Sequence, residues 1–224
     1  TAHPTDDDPL KPARIQTPTS RISMLAELRA IFAAATDKNT TPGGEGPAEH
    51  QYDEKALRAV VGGTLPMRAS ATSTHDIRRA LQLQKELGIQ MVLEDPRELG
   101  PVAAMAADQK VMATFRVPAM FGKSVPGGED RLGTDKMLHL DAPAKAAAAG
   151  VVVGLSPAAG IPLRDYLMSV AIAVRHGLSP EMAMRAIGID AARILGVSDR
   201  VGSLEKGKDA DFVVFSGNPL EMTS

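Results

Sequence analysis

The sequence VGSLEKGKDADFVVFSGNPL, residues 201–220, decides how the rest of this chain is interpreted. It follows a helix that we expect to end at Gly196, and Lys206-Gly207-Lys208 has the composition of a polar turn. The alternation from Asp211 to Phe215 predicts a short β-strand after that turn. The stretch therefore predicts a passage from a helical region into a strand near the C-terminal side of the chain.

Composition excludes several classes of function. The net charge of -2 gives no electrostatic basis for binding nucleic acid or an anionic membrane surface. The sequence has no run of about twenty apolar residues, so no membrane span is predicted. Without cysteine there is no disulfide or thiolate chemistry. We expect a soluble protein, and its composition fits a cytoplasmic or an exported location equally.

Upstream of the C-terminal stretch, short apolar runs alternate with capped helices, which is the pattern of βα units built around a parallel sheet. Four strands are predicted, at Leu65–Ala71, Ile89–Glu94, Val111–Val117 and Val151–Leu155. The helices between and after them are predicted to start at Ser73 or Thr74, Pro101, Ala142, Leu163, Ser179 and Ala191. An earlier amphipathic helix is predicted from Ser20, capped by Thr19 or Ser20.

Two of these helices have clear end signals. Gly88 is expected to terminate the helix that Ser73 or Thr74 begins, and Asp190 is expected to cap the last short helix, Ala191 to Leu195. The polar segments 39–50 and 122–133 are rich in Gly and Pro and interrupt regular structure.

The C-terminal phrase, with Asp209 and Asp211, resembles the C-terminal signature of the amidohydrolase superfamily, and the chain is similar to its imidazolonepropionase-like members. The resemblance implies an α/β fold, part of a TIM-type (β/α)8 barrel of about the last four βα units. A C-terminal strand would return from it to a small β-domain. Residues 1–19 are then a linker or peripheral segment, 20–196 the C-terminal half of the barrel, and 197–224 the start of the small β-domain.

Half a barrel leaves two sheet edges whose backbone groups need partners. At 224 residues the chain is also shorter than the roughly 250 of a complete barrel. We therefore expect the remainder of the barrel to come from the same polypeptide or from another subunit in an oligomer. An open sheet is the alternative.

In the family that the chain resembles, His and Asp side chains at the C-terminal ends of the barrel strands hold one or two metal ions. In this chain Ser70 and Thr72 stand where the fifth strand has His-x-His. Asp95, after Glu94, stands where the sixth strand ends in His. Ser156-Pro157-Ala158 stands where the eighth strand has Ser-Thr-Asp. Neutral hydroxyls bind zinc poorly compared with imidazole, so these positions predict a degenerate pocket with no metal site of its own.

Three functions follow from the resemblance. The favoured one is a catalytically degenerate domain, a pseudoenzyme with a structural or regulatory role beside an active copy or the missing half of the barrel, and with no cofactor in this chain. An active hydrolase of amide or cyclic amide C–N bonds is the alternative, with zinc or another divalent metal held by ligands from another segment or chain. The third is a small-molecule binding module lined by Ser70, Thr72, Asp95 and Ser156.

A new constellation of Glu94, Asp95, His75 and Asp76 also remains open. Whether the chain is itself an enzyme therefore stays undecided from the sequence.

Overall fold

A computed structural model describes residues 21–36, 53–117, 139–157 and 165–221 of the chain. The predicted linker 1–19, both polar segments, the cap residues Thr19 and Ser20, and Ala158 lie outside the described residues. The chain divides into two compact units, residues 1–62 and 63–224.

The first unit contains two helices, α1 (Arg21–Thr36) and α2 (Glu54–Val61). The Arg58 guanidinium joins them, since it donates to the Ala35 carbonyl at 3.2 Å and to Glu54 Oε1 at 2.8 Å. Helix α1 was predicted and α2 was not. Asp53, whose side chain accepts from the Ala56 N–H, was the signal that would have located the start of α2.

The second unit alternates strands and helices around one parallel sheet of order β1-β2-β3-β4. This confirms the predicted α/β arrangement of four consecutive parallel strands. A 3₁₀ turn at Gly100–Val102 precedes α4. The elements are β1 (Met67–Ser70), α3 (Thr74–Leu87), β2 (Met91–Glu94), α4 (Ala103–Asp108), β3 (Met112–Val117), α5 (Ala142–Ala148), β4 (Val152–Pro157), α6 (Tyr166–Arg175), α7 (Pro180–Ile187) and α8 (Ile189–Ile194).

The core lies between the sheet and helices α3 to α6, which cover one of its faces, while α8 packs against the other face at Gly154 of β4. Because side chains alternate along a strand, every second residue of β2, β3 and β4 faces these helices. These strand residues pack against small and branched side chains of α3 to α6, which keeps helix and sheet close together. The buried cluster includes Leu93, Ala113, Phe115, Val153 and Leu155 from the strands, and Ile77, Leu81, Ala106, Ala146 and Val170 from the helices.

Helix boundaries follow the predicted capping chemistry at Ser73, Gly88 and Ser179. Ser73 accepts from the Asp76 N–H at the start of α3, and Ser179 does the same for the Met182 N–H at the start of α7. Gly88 ends α3 in the left-handed conformation, with φ of 63°.

The prediction that Asp190 caps the last helix is wrong. Asp190 lies inside α8, and its buried carboxylate accepts from Arg185 at 3.0 and 3.1 Å and from Arg193 at 2.8 Å. An Asp before an apolar run can act either as a helix N-cap or as an ion-pair partner. Here the two nearby arginines favour the ion pair. The ion pairs hold α7 and α8 in a tight corner.

Tyr166 anchors α6 to the end of β4. Its hydroxyl donates to the Leu155 carbonyl, and burial raises the pKa of this phenol from 10.0 to about 12. The neutral donor form is therefore favoured by folding.

The C-terminal stretch is held to α8 at one close contact. Gly202 has φ of 95°, and a Cβ atom placed there would lie 2.8 Å from Ala192 Cβ and 2.9 Å from Ile189 Cα. Arg200 and Asp209 then close a loop, through a side-chain ion pair at 2.7 Å and a backbone bond from Asp209 N–H to the Arg200 carbonyl at 2.8 Å.

The predicted strand from Asp211 to Phe215 is not formed. These residues have no sheet partner among the described parts of the chain. The physical reason is that a strand needs a neighbouring backbone, and the alternating sequence alone supplies none. Its apolar side chains remain exposed, from 45% at Phe215 to 82% at Val214.

Within the described ranges, each helix is too short or too polar to cross a membrane.

Tyr166 makes stability depend on pH in the alkaline range. Because the pKa of Tyr166 is higher in the folded state, its contribution to the free energy of unfolding is complete below pH 10. This contribution is lost as the pH rises toward about 12. We expect Tyr166→Phe to lower the urea midpoint at neutral pH and to reduce the fall of that midpoint above pH 10. If the urea midpoint fell equally steeply with pH in the parent and in Tyr166→Phe between pH 10 and 12, Tyr166 would not be the source of the pH dependence.

Gly202 and Gly207 form a matched pair for testing the close contact. Both have φ near 95°, but nothing lies within 4 Å of a Cβ placed at Gly207. Gly202→Ala is expected to reduce the free energy of unfolding by about 2–4 kcal/mol, from backbone strain and overpacking together. Gly207→Ala carries only backbone strain, about 1 kcal/mol. Urea titration of both variants measures the difference, and equal losses would show that the contact with α8 contributes nothing.

Candidate functional site

The candidate site lies where the four parallel strands end, on the sheet face opposite the one that α3 to α6 cover. The pairing register places Ser70 beside Glu94, Glu94 beside Thr114, and Arg116 beside Ser156. Residues in register point to the same face, so these polar side chains lie on one face in two adjacent rows, with Ser70, Glu94 and Thr114 in one and Arg116 and Ser156 in the next. We call these residues, with Arg68, Asp95 and Arg97, the strand-end cluster.

Ser70 and Ser156 stand at opposite edges of the sheet. They lie on β1 and β4, three strand spacings apart, which is about 14 Å measured along the sheet. Thr72 follows β1 as an exposed loop residue, and its carbonyl accepts from the Glu98 N–H at 3.0 Å. Ser70 and Ser156 are thus separated by the two central strands, and Thr72 lies in the loop beyond β1.

Glu94 is fully engaged by its neighbours on the same face. Its Oε1 accepts from Arg68 Nε at 2.5 Å, and its Oε2 accepts from Thr114 Oγ1 at 2.5 Å. Arg68 Nη2 forms an ion pair with the same Oε1 atom. Both carboxylate oxygens are therefore occupied by donors from the flanking strands β1 and β3.

Asp95 is the buried charge of the cluster, with only 6% of the residue exposed. Its Oδ2 accepts from Arg97 Nε at 3.1 Å and Nη2 at 2.9 Å, while Arg116 Nε lies 3.6 Å from the same atom. Its Oδ1 accepts from the Arg116 backbone N–H at 3.4 Å. A buried carboxylate needs this degree of compensation, because an unpaired charge in the interior is strongly unfavourable.

The backbone of Asp95 is unusual for a residue with a Cβ atom, with φ of 52°. Its N–H donates to the Thr114 carbonyl at 2.7 Å, which continues the pairing of β2 with β3 by one residue. The left-handed turn then directs the chain to Arg97, so that Arg97 can return to the carboxylate. Local backbone strain and the ion pair occur at the same residue.

The loops above the strand ends are tied together by Glu98. Its carboxylate accepts from the Thr74 N–H at 2.8 Å, and its carbonyl accepts from Thr74 Oγ1 at 2.9 Å. Asp76 accepts from Ser73 Oγ at 2.8 Å within the first turn of α3, and His75 is exposed there. The proposed constellation of His75, Asp76, Glu94 and Asp95 is therefore split between separate hydrogen-bonding networks.

These residues do not fit the metal that the family resemblance implies. No group of three or more His, Asp or Glu side chains with metal-binding geometry occurs in the ranges that the structure describes. The carboxylates present accept from arginine or threonine, and the remaining positions offer neutral hydroxyls, which are weak ligands for zinc.

Sequence reasoning missed the residues that dominate this cluster, namely Arg68, Arg97, Arg116 and Thr114. The signal for Arg68, Thr114 and Arg116 was present in the period-two alternation, which places them on the same face as Glu94. Arg97 had no comparable signal, because the turn at Asp95 determines where its side chain goes.

Comparisons with known proteins agree with this architecture. Residues 129–224 match the model of the Amidohydrolase family. The chain is 43% identical over 60 residues to an imidazolonepropionase from Erwinia tasmaniensis, and 44% identical over 63 residues to one from Geobacillus kaustophilus. These matches cover 27% and 28% of this chain and 14% of each relative.

The likeness extends over nearly the whole chain in one solved structure. An amidohydrolase from Thermotoga maritima is 28% identical, with a TM-score of 0.74, over 93% of this chain and 54% of that protein. This chain thus spans about half the length of that structure, which agrees with a four-stranded part of a TIM-type barrel. The signature phrase, the parallel βα units and these matches together show that the chain is similar to the amidohydrolase superfamily, and in particular to imidazolonepropionases.

Proposed function

We propose that this chain is a catalytically degenerate part of an amidohydrolase-like barrel, with a structural or regulatory role and no metal centre of its own. The observation that carries the proposal is the engagement of Asp95 by Arg97 and Arg116 at a position where the family has a metal-binding His. Two cations beside a carboxylate oppose the entry of a third, because like charges repel strongly at short range.

The neutral positions support the same proposal. Ser70, Thr72 and Ser156 offer only hydroxyl groups, which cannot supply the negative charge that holds a divalent ion. Without a bound metal there is no group in the cluster to acidify a water molecule for attack on an amide. The strand ends keep the shape of the family site while lacking its chemistry.

The partner in this proposal is the remainder of the barrel, from the same polypeptide or from another subunit. The outer edges of β1 and β4 have no strand beside them among the described residues, and a parallel sheet is stable when such edges are paired or covered. Further along the chain, both faces of residues 212–215 are exposed, with Val213 at 74% and Phe212 at 65%. An apolar segment of this kind is suited to adding a strand to a sheet supplied by that partner.

The relatives that are named imidazolonepropionase favour a second function, an active hydrolase of cyclic amide C–N bonds. In that case the metal ligands would come from the other half of the barrel, and the strand-end cluster would form only one wall of the site.

Metal analysis separates the two functions. We expect the purified chain to retain less than stoichiometric zinc, manganese or iron after incubation with excess metal and desalting. A variant carrying Ser70→His and Thr72→His together is the positive control, because it restores imidazole where the family has it and should raise zinc retention. One tightly bound ion per parent chain, lost in Asp95→Asn, would contradict the degenerate function.

Hydrogen exchange tests the role of the apolar segment. The amides of residues 211–215 are expected to exchange rapidly in the isolated chain, because they have no backbone acceptor in the described structure. In a sample that contains the rest of the barrel, these amides should become protected, while those of β3 remain protected in both samples. Unchanged exchange at 211–215 in a verified complex would exclude strand addition at this segment.

A further inference from the structure

The strand-end cluster carries three guanidinium groups, from Arg68, Arg97 and Arg116, beside the carboxylates of Glu94 and Asp95. We propose that this cluster binds a carboxylate or phosphate group of a small ligand, with Arg116 as the principal contact. The inference rests on the proposed function, because it requires strand ends that hold no metal ion.

The two carboxylates have little capacity left for a cation. Both oxygens of Glu94 accept from Arg68 or Thr114, and both oxygens of Asp95 accept from Arg97 or from the Arg116 backbone. A divalent ion would have to displace these charge-assisted bonds, which are stronger than neutral ones. The acceptor side of the cluster is therefore satisfied internally.

The cluster contains more hydrogen-bond donors than its two carboxylates can accept from. Each guanidinium has five N–H donors in a fixed planar arrangement, so three arginines bring more donors than two carboxylates can accept. The Arg116 side chain is 56% exposed, and its Nε lies 3.6 Å from Asp95, which is beyond hydrogen-bonding distance. Arg116 can thus turn toward a ligand without breaking a side-chain hydrogen bond to Asp95.

The surroundings of Arg116 suit an anion. Ser156, its partner in the register with β4, adds a hydroxyl donor on the same face of the sheet. Thr114, two residues earlier on the same strand face, donates its hydroxyl to Glu94 and adds no negative charge beside the guanidinium. The carboxylate of Glu98 accepts from the Thr74 N–H at the start of α3 and is thus already paired there.

Arginine rather than lysine at this position also indicates the ligand class. The planar fork of a guanidinium matches the paired oxygens of a carboxylate or phosphate, and it binds them through two parallel hydrogen bonds. Ligands that bear either group share this chemistry, and the two probes below distinguish them.

The test is calorimetric titration of the purified full chain with inorganic phosphate and, separately, with acetate, in the presence of a chelator. We expect one of these anions to bind, and Arg116→Gln to weaken that binding at least about tenfold, the effect of losing one charged hydrogen-bonding partner. Arg116→Lys should give an intermediate loss, because it keeps the charge without the fork. Arg175→Gln, which changes an exposed arginine at the end of α6, is the matched control and should bind like the parent.

Asp95→Asn gives an effect of opposite sign for an anion site and a metal site. Removing this carboxylate releases Arg97 and Arg116, so phosphate or acetate should bind more tightly than to the parent. A metal site would lose its ligand and bind the anion more weakly. Tighter binding in Asp95→Asn supports the proposal, and weaker binding contradicts it.

Metal content measured on the same samples keeps the two proposals distinguishable. If the parent chain contains no metal and binds neither phosphate nor acetate, this inference alone is overturned. The same holds if the metal-free parent and the Arg116→Gln variant bind an anion with equal affinity. Anion binding that disappears with the chelator, in a chain that contains a stoichiometric metal, overturns both the inference and the metal-free function.

Discussion

The ion pairs of Asp95 with Arg97 and Arg116 are the interaction on which the strand-end cluster depends. A carboxylate that is buried at the end of β2 must be neutralised, and the left-handed backbone at Asp95 brings Arg97 back within 2.9 Å to do so. Arg116 approaches from β3, so the same charge links two adjacent strands at their C-terminal ends. The charge of this carboxylate is thus balanced by two arginine side chains of the same chain.

The sheet itself has two different faces. The face covered by α3 to α6 is uniformly apolar and holds the strands in place, whereas the opposite face changes from Val92 and Met112 to polar residues toward the strand ends. Gly154 on that face allows a close approach of Ile194 from α8, since a Cβ there would lie 2.9 Å from Ile194 Cδ1. The strand-end cluster is therefore supported by packing that does not require any ligand.

The sequence predicts the elements whose signals are local. Ser73, Ser179 and Gly88 fix helix ends through hydrogen bonds and backbone conformation within a few residues, and the four apolar runs became the four strands. Ser70, Asp95 and Ser156 were correctly expected at strand ends. Their arrangement was not predictable in the same way, because it depends on register and on the turn at Asp95.

The errors share a physical cause. Asp190 had an equally good local role as a helix cap, but two arginines from neighbouring turns bind it instead. Asp211 to Phe215 had the alternation of a strand, but pairing requires a second backbone that the described chain does not provide there. Both roles depend on which groups lie nearby in space.

The loop closed by the Arg200–Asp209 ion pair restricts where the unpaired segment 211–215 can move. The ion pair fixes the chain at Asp209, only two residues before the segment begins. A receiving sheet that has docked on the β1 and β4 edges would meet this segment at a high effective concentration, so the second contact would form as an intramolecular step and a weak pairing would suffice to complete the assembly.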